Sequence, residues 1–384
     1  MVISVTPNER DEFNDLSTLK IRHAKGIIET PNRLVNRYDL NAKDQIGADI
    51  PLTRTAKSFI VQENINPEKL NFVLTKNGYL GEVLGKIRPI LSRIDSESLV
   101  FLYPSMTPET ANLLDTPKKF NDYTRFFCDL AINLGLESLV MPIIKNVNDV
   151  QNITTKKGLQ LVPVLNLRED TQVLTKQFFD CRKEGSEDIP IIALKFSTYP
   201  MANKGFDLVM DNFETLHEDN QATMMVDSPR MLGSTVSLNV SGPHYGSFFT
   251  ADLIAERYIG VGGVSDDRRV RLFCKNDLVT PYVEKSATKF DLDGEKTVFA
   301  NDKKLQELLE RVAKNRTTSD DWKNNRPRYL SRAHENVRTR SEFQSLHENI
   351  KSNSVSDYLA EKNDMNTVVT NHLKGRTGKQ TRLF

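Results

Sequence analysis

The chain has 384 residues and a formal net charge of +1, a length that allows one large domain with an appendage or two domains. Charged residues make up 27% and hydrophobic residues 38%, the proportions of a soluble globular protein with a sizeable core. The longest apolar runs, such as residues 189–194, are strand-sized and fall far short of the roughly 20 residues that a membrane helix needs. We therefore predict no membrane partner.

The cysteines and the N-terminus indicate the compartment. The three cysteines, Cys128, Cys181 and Cys274, lie far apart and match neither a disulfide framework nor a CxxC zinc pattern. Residues 1–15 are acidic and polar, without the apolar segment of a secretory signal. We predict a cytoplasmic protein without a metal site or a cofactor, and we leave open whether it forms a homo-oligomer.

The first part of the chain has weak patterns. Residues 1–20 are predicted to be a loose lead-in. Residues 20–36 suggest a strand pair that is broken at Lys25 and Gly26, since glycine favours a turn. Residues 39–47 suggest a short helix, and residues 59–72 are ambiguous because Pro67 rules out a single long helix.

A regular alternation of strands and helices begins near residue 99. Residues 99–103 form an apolar run that ends at Pro104, and a helix follows with Thr116 as N-cap, Pro117 in its first turn and Gly135 beyond its end. The later predicted strands are residues 139–144, 159–165, 189–196 and 223–226, and the predicted helices between them are 147–155, 171–183 and 206–216.

This alternation predicts an α/β fold. The strands are continuous apolar runs, as expected where helices cover a parallel sheet. Counting the early and late candidates gives seven or eight strands, which favours a (β/α)8 barrel of the TIM type over residues 21–300. An open doubly wound sheet is the alternative, although no GxGxxG motif follows a strand and no GxxxxGK[ST] motif occurs.

The composition changes from Asn301 onward. Residues 301–384 carry 17 Lys and Arg against 11 Asp and Glu, and no acidic residue follows Asp364. A good helix is predicted over residues 303–314, and the lone Trp322 is expected to dock this part onto the barrel. We predict a helical, partly disordered basic extension. It could bind tRNA or DNA, or it could be a solvated terminus.

Residues 222–263 contain the first candidate site. In α/β folds ligands bind where the strands end, so polar residues directly after an apolar strand are the first to consider. Asp227 follows the strand 223–226 and could act as a nucleophile, or it could open a turn before Ser228 and Pro229. Arg230 could bind phosphate or carboxylate through its guanidinium group, or form a surface ion pair.

The N-terminal sequence resembles a known family. Residues 26–31 (GIIETP), then 46–53 (IGADIPLT) and Ala56, are similar to the start of the barrel in tRNA-guanine transglycosylases, which have a G-x-x-x-T-P strand followed by a helix and a G-A-x-I-x-L segment. The match covers about 35 residues, under a tenth of the chain. The resemblance implies a (β/α)8 barrel and a transferase of the glycosyltransferase type, which exchanges a base during tRNA processing.

The chain departs from this family at its functional motifs. The S-G-G-F-Q loop has no counterpart, and the zinc site of three close cysteines and a histidine is absent. The family's nucleophilic aspartate follows a late F-D strand end, which could correspond to Val226-Asp227 or to Ala251-Asp252. Spacing alone does not decide between these two aspartates.

Four further candidates lie in a predicted loop and on a predicted helix after it. His244 and Tyr245 lie between two glycines and could supply an acid or base and a stacking ring. Asp252 and Glu256 are four residues apart on a predicted helix, so they share a face that is either a carboxylate pair or a solvated, salt-bridged surface.

Two more strands end in polar residues. Asn166 and Arg168 follow the strand 159–165, and Lys195 lies near the end of the strand 189–196. We predict that these side chains reach the same mouth of the barrel and bind substrate. Lys195 could also form a Schiff base, or it could be a paired lysine.

Three functions remain open on the sequence alone. The first is a transglycosylase-like barrel that acts on or binds a base in tRNA or DNA, with Asp227 and His244 as catalytic residues. The second is a non-catalytic barrel that serves as an RNA-binding or assembly subunit. The third is a small-molecule lyase or aldolase that uses Lys195.

Overall fold

The computed structural model of the chain describes residues 3–11, 16–40, 57–76, 78–143, 146–167, 169–185, 187–195, 215–228, 246–247, 251–256, 269–271, 282–284 and 326–362.

The first described elements form a small antiparallel sheet. Strands β1 (Ser4–Asp11), β2 (Leu16–His23) and β3 (Gly26–Glu29) pair in the order β1-β2-β3. The predicted turn between two strands at Lys25 is confirmed. Residues 4–11 and 16–20 belong to this sheet, so they are not a loose lead-in.

Eight parallel strands form the barrel. Their bounds are β4 (Asn32–Arg33), β5 (Ser58–Ile65), β6 (Leu99–Met106), β7 (Ser138–Pro142), β8 (Gln160–Asn166), β9 (Ile191–Lys195), β10 (Ala222–Ser228) and β11 (Leu253–Glu256). They pair in the order β4-β11-β10-β9-β8-β7-β6-β5. A parallel bridge between Val35, just after β4, and Phe59 of β5 joins the two ends. The predicted (β/α)8 barrel is confirmed, and the open doubly wound sheet is wrong.

Helices follow strands β5 to β8. They are α1 (Pro67–Thr75), α2 (Tyr79–Leu91), α3 (Pro108–Ala111), α4 (Pro117–Asn133), α5 (Val147–Lys156) and α6 (Thr171–Lys183). The last three confirm the helices predicted near residues 116–135, 147–155 and 171–183, whereas the first three were not predicted. The start of α4 shows why prediction succeeds there. The Thr116 side chain accepts a hydrogen bond from the Lys119 amide, and Pro117 occupies a first-turn position that needs no N–H donor. Gly135, with φ +67°, follows the end of the helix.

Two elements differ from the predictions. Residues 253–256, read from the sequence as part of a helix, form the short strand β11, and a four-residue strand has too few residues to reveal a period of two. Strand β6 continues through Pro104 to Met106. Its pairing with β7 is confined to Phe101 and Leu102, so the missing N–H of Pro104 removes no hydrogen bond on that side.

The barrel interior and the small sheet share one apolar core. Alternate residues of the strands point inward, as the two-residue period of a strand requires. The inward residues of β6 are Leu99, Phe101 and Tyr103, whereas Leu102 packs in the outer core beneath the helices. The small sheet adds five residues to the inner core, namely Ile3, Val5, Leu19, Ile21 and Ile28. The sheet therefore plugs one end of the barrel.

The C-terminal region is part of the same packing. Strands β12 (Arg269–Arg271) and β13 (Tyr282–Glu284) pair with each other, and they are followed by helices α7 (Arg326–Lys351) and α8 (Val355–Ala360). In α7 the side chains of Phe343, Leu346 and Ile350 are buried in the outer core. The Asn336 amide donates a hydrogen bond of 2.7 Å to Asp39, just beyond β4.

The predicted helical extension is thus confirmed, and its described part belongs to the folded body. The predicted helix at residues 303–314, Trp322 and the basic residues after 362 lie outside the described residues. Among the helices that are described, none is both long enough and apolar enough to span a membrane.

Leu346→Ala tests whether α7 is integral to the fold. Leu346 is fully buried, and shortening a buried leucine to alanine removes about 2 to 5 kcal/mol of stability. We expect the free energy of unfolding, measured by urea denaturation, to fall by about 3 kcal/mol. The matched control is Gln344→Ala on the exposed face of the same helix, for which a change below roughly 0.5 kcal/mol is expected. Equal effects would mean that α7 only rests on the surface.

Candidate site at the carboxyl end of the barrel

A buried carboxylate lies at the mouth formed by the carboxyl ends of the strands. Asp227, next to the last residue of β10, is only 9% exposed. Its Oδ1 accepts a hydrogen bond of 3.0 Å from Gln62 Nε2. Its Oδ2 accepts hydrogen bonds from Tyr103 Oη at 3.2 Å and from Ser105 Oγ at 3.5 Å. Three strands that are distant in sequence therefore converge on one carboxyl group.

The donors face the mouth because of strand alternation. Ile60 of β5 points into the barrel, so Gln62, two residues later, points the same way. On β6 the inward residue Tyr103 is likewise followed by Ser105 at a spacing of two. These side chains continue the inner rows of their strands, where the apolar core gives way to polar groups.

Asp227 itself does not follow this alternation. Met224 and Val226 of β10 point inward and Met225 outward, so a regular strand would turn Asp227 toward the helices. Instead, the pairing of β10 with β11 shifts register between Met225 and Ser228, and Asp227 has φ +55°. A bulge of this kind re-aims a side chain and is common beside active sites. The left-handed conformation costs most residues roughly 1 to 2 kcal/mol, and among residues other than glycine Asn and Asp tolerate it best.

A lysine supplies the positive charge beside Asp227. Lys195 is the last residue of β9, and its Nζ lies 3.6 Å from Asp227 Oδ2. The same Nζ donates a hydrogen bond of 2.7 Å to the carbonyl oxygen of Met106. The Lys195 side chain is 18% exposed, so the ion pair is only partly open to solvent and is screened less than a surface pair.

The tyrosine that contacts Asp227 is a neutral donor. Burial raises the pKa of Tyr103 well above its ordinary value, and the nearby Asp227 carboxylate raises it further. The phenol therefore keeps its proton at physiological pH and donates a hydrogen bond to the carboxylate. Together with Gln62 and Ser105 it forms a set of uncharged donors that hold the orientation of the carboxyl group.

A cavity opens beside this cluster. Its volume is about 390 Å³, a size at the small end of ligand pockets, which suits a compact ligand. Tyr103 and Lys195 form the part of the wall nearest Asp227. Further polar groups in the wall are Asn112, Asp115, Asn166, Glu169 and Gln177. Apolar groups, among them Met106, Pro142, Ile143 and Val164, complete it, so a flat ring with a polar edge would find both kinds of contact.

Three of the predicted site residues meet at this mouth. Asn166 and Lys195 line the cavity, and Asp227 contacts Lys195. Asn166 also donates a hydrogen bond of 3.3 Å to Glu169 at the rim. Four other predicted residues, Arg168, Arg230, His244 and Tyr245, lie outside the described residues.

Asp252 lies at the opposite end of the barrel from this mouth. It was expected to bind substrate here, but it is not among the residues that meet at the mouth. It directly precedes β11. Its Oδ2 accepts hydrogen bonds from the Thr223 amide at 2.8 Å and pairs with His217 Nε2 at 3.0 Å. Its Oδ1 accepts a hydrogen bond of 3.0 Å from Thr30, and the other nitrogen of His217 bonds to Ser17. This network ties the small sheet to the amino ends of the barrel strands.

The predictions missed the three donors to Asp227. Gln62 falls in residues 59–72, which were ambiguous, although a polar residue inside the apolar run of β5 is a usable signal. Tyr103 and Ser105 alternate at the end of β6, and Pro104 between them made the strand seem to stop early. Tyr103 and Ser105 are two residues apart on either side of Pro104, and this spacing would have indicated that both face the mouth.

In the part of the chain that the structure describes, the potential metal ligands are scattered and both cysteines are buried. No three His, Cys, Asp or Glu side chains are grouped there so that they could hold a metal ion. Cys128 and Cys181 are both buried, and burial raises the pKa of the Cys128 thiol to about 12, so that thiol stays protonated. Within the described residues, the mouth therefore offers the carboxylates of Asp227, Asp115 and Glu169, the Lys195 side chain and neutral donors.

Comparisons with known proteins add no relative. A scan of the sequence against models of protein families gave no match, and a search of curated proteins gave none either.

Asp252→Ala tests the network at the closed end. The change leaves the Thr223 amide, the Thr30 hydroxyl and His217 without their buried acceptor, and a buried donor left unsatisfied costs about 1 to 3 kcal/mol. We expect a matching fall in the free energy of unfolding measured with urea. The control is Asp219→Ala, which breaks an exposed pair with Arg182 and should cost less than about 1 kcal/mol. A loss for Asp252→Ala as small as that of the control would contradict the structural role.

Proposed function

We propose that the protein exchanges a base at an N-glycosidic bond of a nucleic acid, with Asp227 as the nucleophile. The observation that carries the proposal is the Asp227 carboxylate, which a bulge and a left-handed backbone turn away from the helices and toward the mouth. Strained backbone that aims one side chain into a cleft is typical of functional residues. A partner tRNA or DNA would supply the sugar and the base.

The reaction would proceed in two displacements. A carboxylate oxygen of Asp227 attacks the sugar carbon that carries the base, and the base leaves with the electron pair of the broken carbon–nitrogen bond. A nitrogen of the incoming base then attacks the sugar carbon of the resulting ester, and the carbon–oxygen bond to Asp227 breaks, which restores the carboxylate. The proton that this nitrogen loses to solvent balances the one that the departing base takes up. The overall change is an exchange of one base for another, and no oxidant or reductant is needed.

The other groups at the mouth have distinct tasks in this scheme. Gln62, Tyr103 and Ser105 hold the carboxylate in place through their hydrogen bonds. Lys195 lines the cavity in which the base would sit, so its ammonium group can stabilise the negative charge that develops on the departing ring. Glu169 can accept hydrogen bonds from the edge of a base that carries N–H groups.

The size of the cavity and its position in the barrel set a requirement on the substrate. A cavity of about 390 Å³ at the mouth of a barrel cannot admit a base that remains stacked in a duplex. The target base must therefore be unpaired or flipped out of the helix. The resemblance of residues 26–31 and 46–53 to tRNA-guanine transglycosylases supports the same reaction class, and of its two candidate nucleophiles Asp227 is the one at the mouth.

A specific observation also favours a second candidate function. Lys195 at the end of β9 lines the cavity, as a lysine that forms a Schiff base with a small carbonyl substrate would. In the described structure, however, its Nζ is held by Asp227 and by the Met106 carbonyl, so a lyase reaction would first have to break both contacts. Base exchange requires neither contact of Lys195 to break, and we prefer it for that reason.

Asp227→Asn should abolish exchange without unfolding the protein. Asparagine tolerates the left-handed backbone, and a flip of the Gln62 amide can present an acceptor to the new NH₂ group. The neutral amide cannot form the sugar ester, so we expect a loss of at least about 1,000-fold in the incorporation of labelled guanine into bulk tRNA. Circular dichroism would verify the fold.

A matched control separates chemistry from a general loss of charge. Asp129 lies on α4, away from the mouth, and its exposed carboxylate pairs with Lys157. Asp129→Asn removes this carboxylate and should leave the exchange rate unchanged. If the wild-type protein shifts tRNA on a gel but neither it nor any variant exchanges a base, the barrel is a binding subunit and the proposal fails. Unchanged exchange in Asp227→Asn would remove Asp227 from the mechanism.

Borohydride trapping distinguishes the two candidate reactions. If the protein exchanges bases, incubation with small aldehydes or ketones followed by sodium borohydride should add no covalent adduct to Lys195, as measured by mass spectrometry. A lyase of the Schiff-base type would instead show a stable mass increase that Lys195→Met removes. An adduct of that kind at Lys195 would favour the second function over the first.

A further inference from the structure

A second cavity lies at the same mouth, and its lining includes Gln62, which contacts Asp227. Its volume is about 220 Å³, and it is lined by residues after β4, at the end of β5 and on helices α1 and α2. We infer that this cavity binds the phosphodiester backbone of the polynucleotide whose base occupies the larger cavity, an inference that rests on the proposed base exchange.

The charges of the second cavity favour an anion. Arg37, Lys69 and Lys86 line it, against the single carboxylate of Glu63. Lys69 Nζ lies 3.3 Å from Glu63 and also donates to the Asn64 carbonyl oxygen, so the acid is balanced within the cavity wall. Arg37 and Lys86 are both exposed, which places two cationic groups where a strand arriving from solvent would meet them.

Gln62 connects this cavity to the proposed reaction centre. It lines the second cavity, and its amide donates the 3.0 Å hydrogen bond to Asp227 Oδ1. The other carboxylate oxygen contacts Tyr103 and Lys195, which line the larger cavity. Each oxygen of Asp227 therefore faces the wall of a different cavity.

This arrangement matches the parts of a nucleotide. A sugar whose anomeric carbon lies at Asp227 carries its base on one side and its phosphates on the other. The larger cavity offers polar groups and apolar surface for a ring, whereas the smaller one offers cations and little apolar surface beyond Val83 and Tyr79. Neutralising phosphates with Lys and Arg is the main source of affinity for nucleic acids.

The test measures binding at several salt concentrations. The full chain carrying Asp227→Asn, which cannot react, is titrated with a fluorescently labelled single-stranded RNA and with the DNA of the same sequence. The test variant adds Arg37→Gln and Lys86→Gln. The matched control adds Lys156→Gln and Lys183→Gln, two exposed lysines on the last residues of α5 and α6, at the opposite end of the barrel.

The expected result is a change in both affinity and salt dependence. Each lost phosphate contact should reduce the slope of log K against log salt by about 0.7 for a single strand, so the test variant should lose about 1.4. At 0.1 M salt this corresponds to a loss of roughly 25-fold in affinity, equal for RNA and DNA because the phosphodiester is common to both. The control should bind as tightly as the Asp227→Asn parent.

Three outcomes would overturn the inference. The slope could be unchanged in the test variant, it could fall equally in the control, or the loss could be confined to RNA, which would indicate a 2′-hydroxyl contact. The result is independent of exchange activity. If the slope changes but no base is exchanged, the phosphate site stands and the proposed reaction fails. If bases are exchanged but the slope does not change, the reaction stands and the phosphate site fails.

Discussion

The pairing of Val35 with Ser58 and Ile60 closes the sheet, and the geometry of the site follows from that closure. The Val35 amide donates to the Ser58 carbonyl oxygen at 3.1 Å, and the Ile60 amide donates to the Val35 carbonyl oxygen at 2.9 Å. In an open sheet, Gln62 near one edge and Asp227 near the other would be separated by the width of several strands. In a closed ring they share a hydrogen bond across the interior.

The two ends of the barrel treat an aspartate in opposite ways. Asp252, 3% exposed, accepts hydrogen bonds from a backbone amide and a hydroxyl, pairs with a histidine, and lies under the plug formed by β1, β2 and β3. Asp227 has a lysine beside it and a cavity wall next to its donors. Both residues are aspartates, but of the two only Asp227, at the carboxyl end, lies beside a lysine that lines a cavity. This agrees with the general rule that the opposite face of such barrels serves stability.

Much of the fold could be predicted because local signals agree with it. The Thr116 cap, Pro117 and Gly135 bound α4, and the apolar runs mark most of the strands. The convergence of Asn166 and Lys195 with Asp227 also follows from sequence, since each lies at or within a residue of the end of its strand.

The remainder depended on pairing that a sequence does not display. Alternation alone would turn Asp227 outward, and only the bulge opposite β11 reverses it. Asp252 was placed with a presumed helix, because the four residues of β11 are too few for their period to identify them as a strand. Gln62 and Tyr103 lie inside strands, where polar residues are easily read as part of the core rather than of a site.

The position of α7 has a consequence for how the chain matures on the ribosome. The helix that packs against β1, β2 and β4 is among the last described segments to be synthesised, whereas those strands are among the first. Asp39 receives its hydrogen bond from Asn336 only after some 300 further residues have been translated. Domains generally fold as they emerge, but here the earliest strands gain this contact only after α7 has been synthesised. During translation the strands β1, β2 and β4 therefore lack the helix that packs against them in the folded protein.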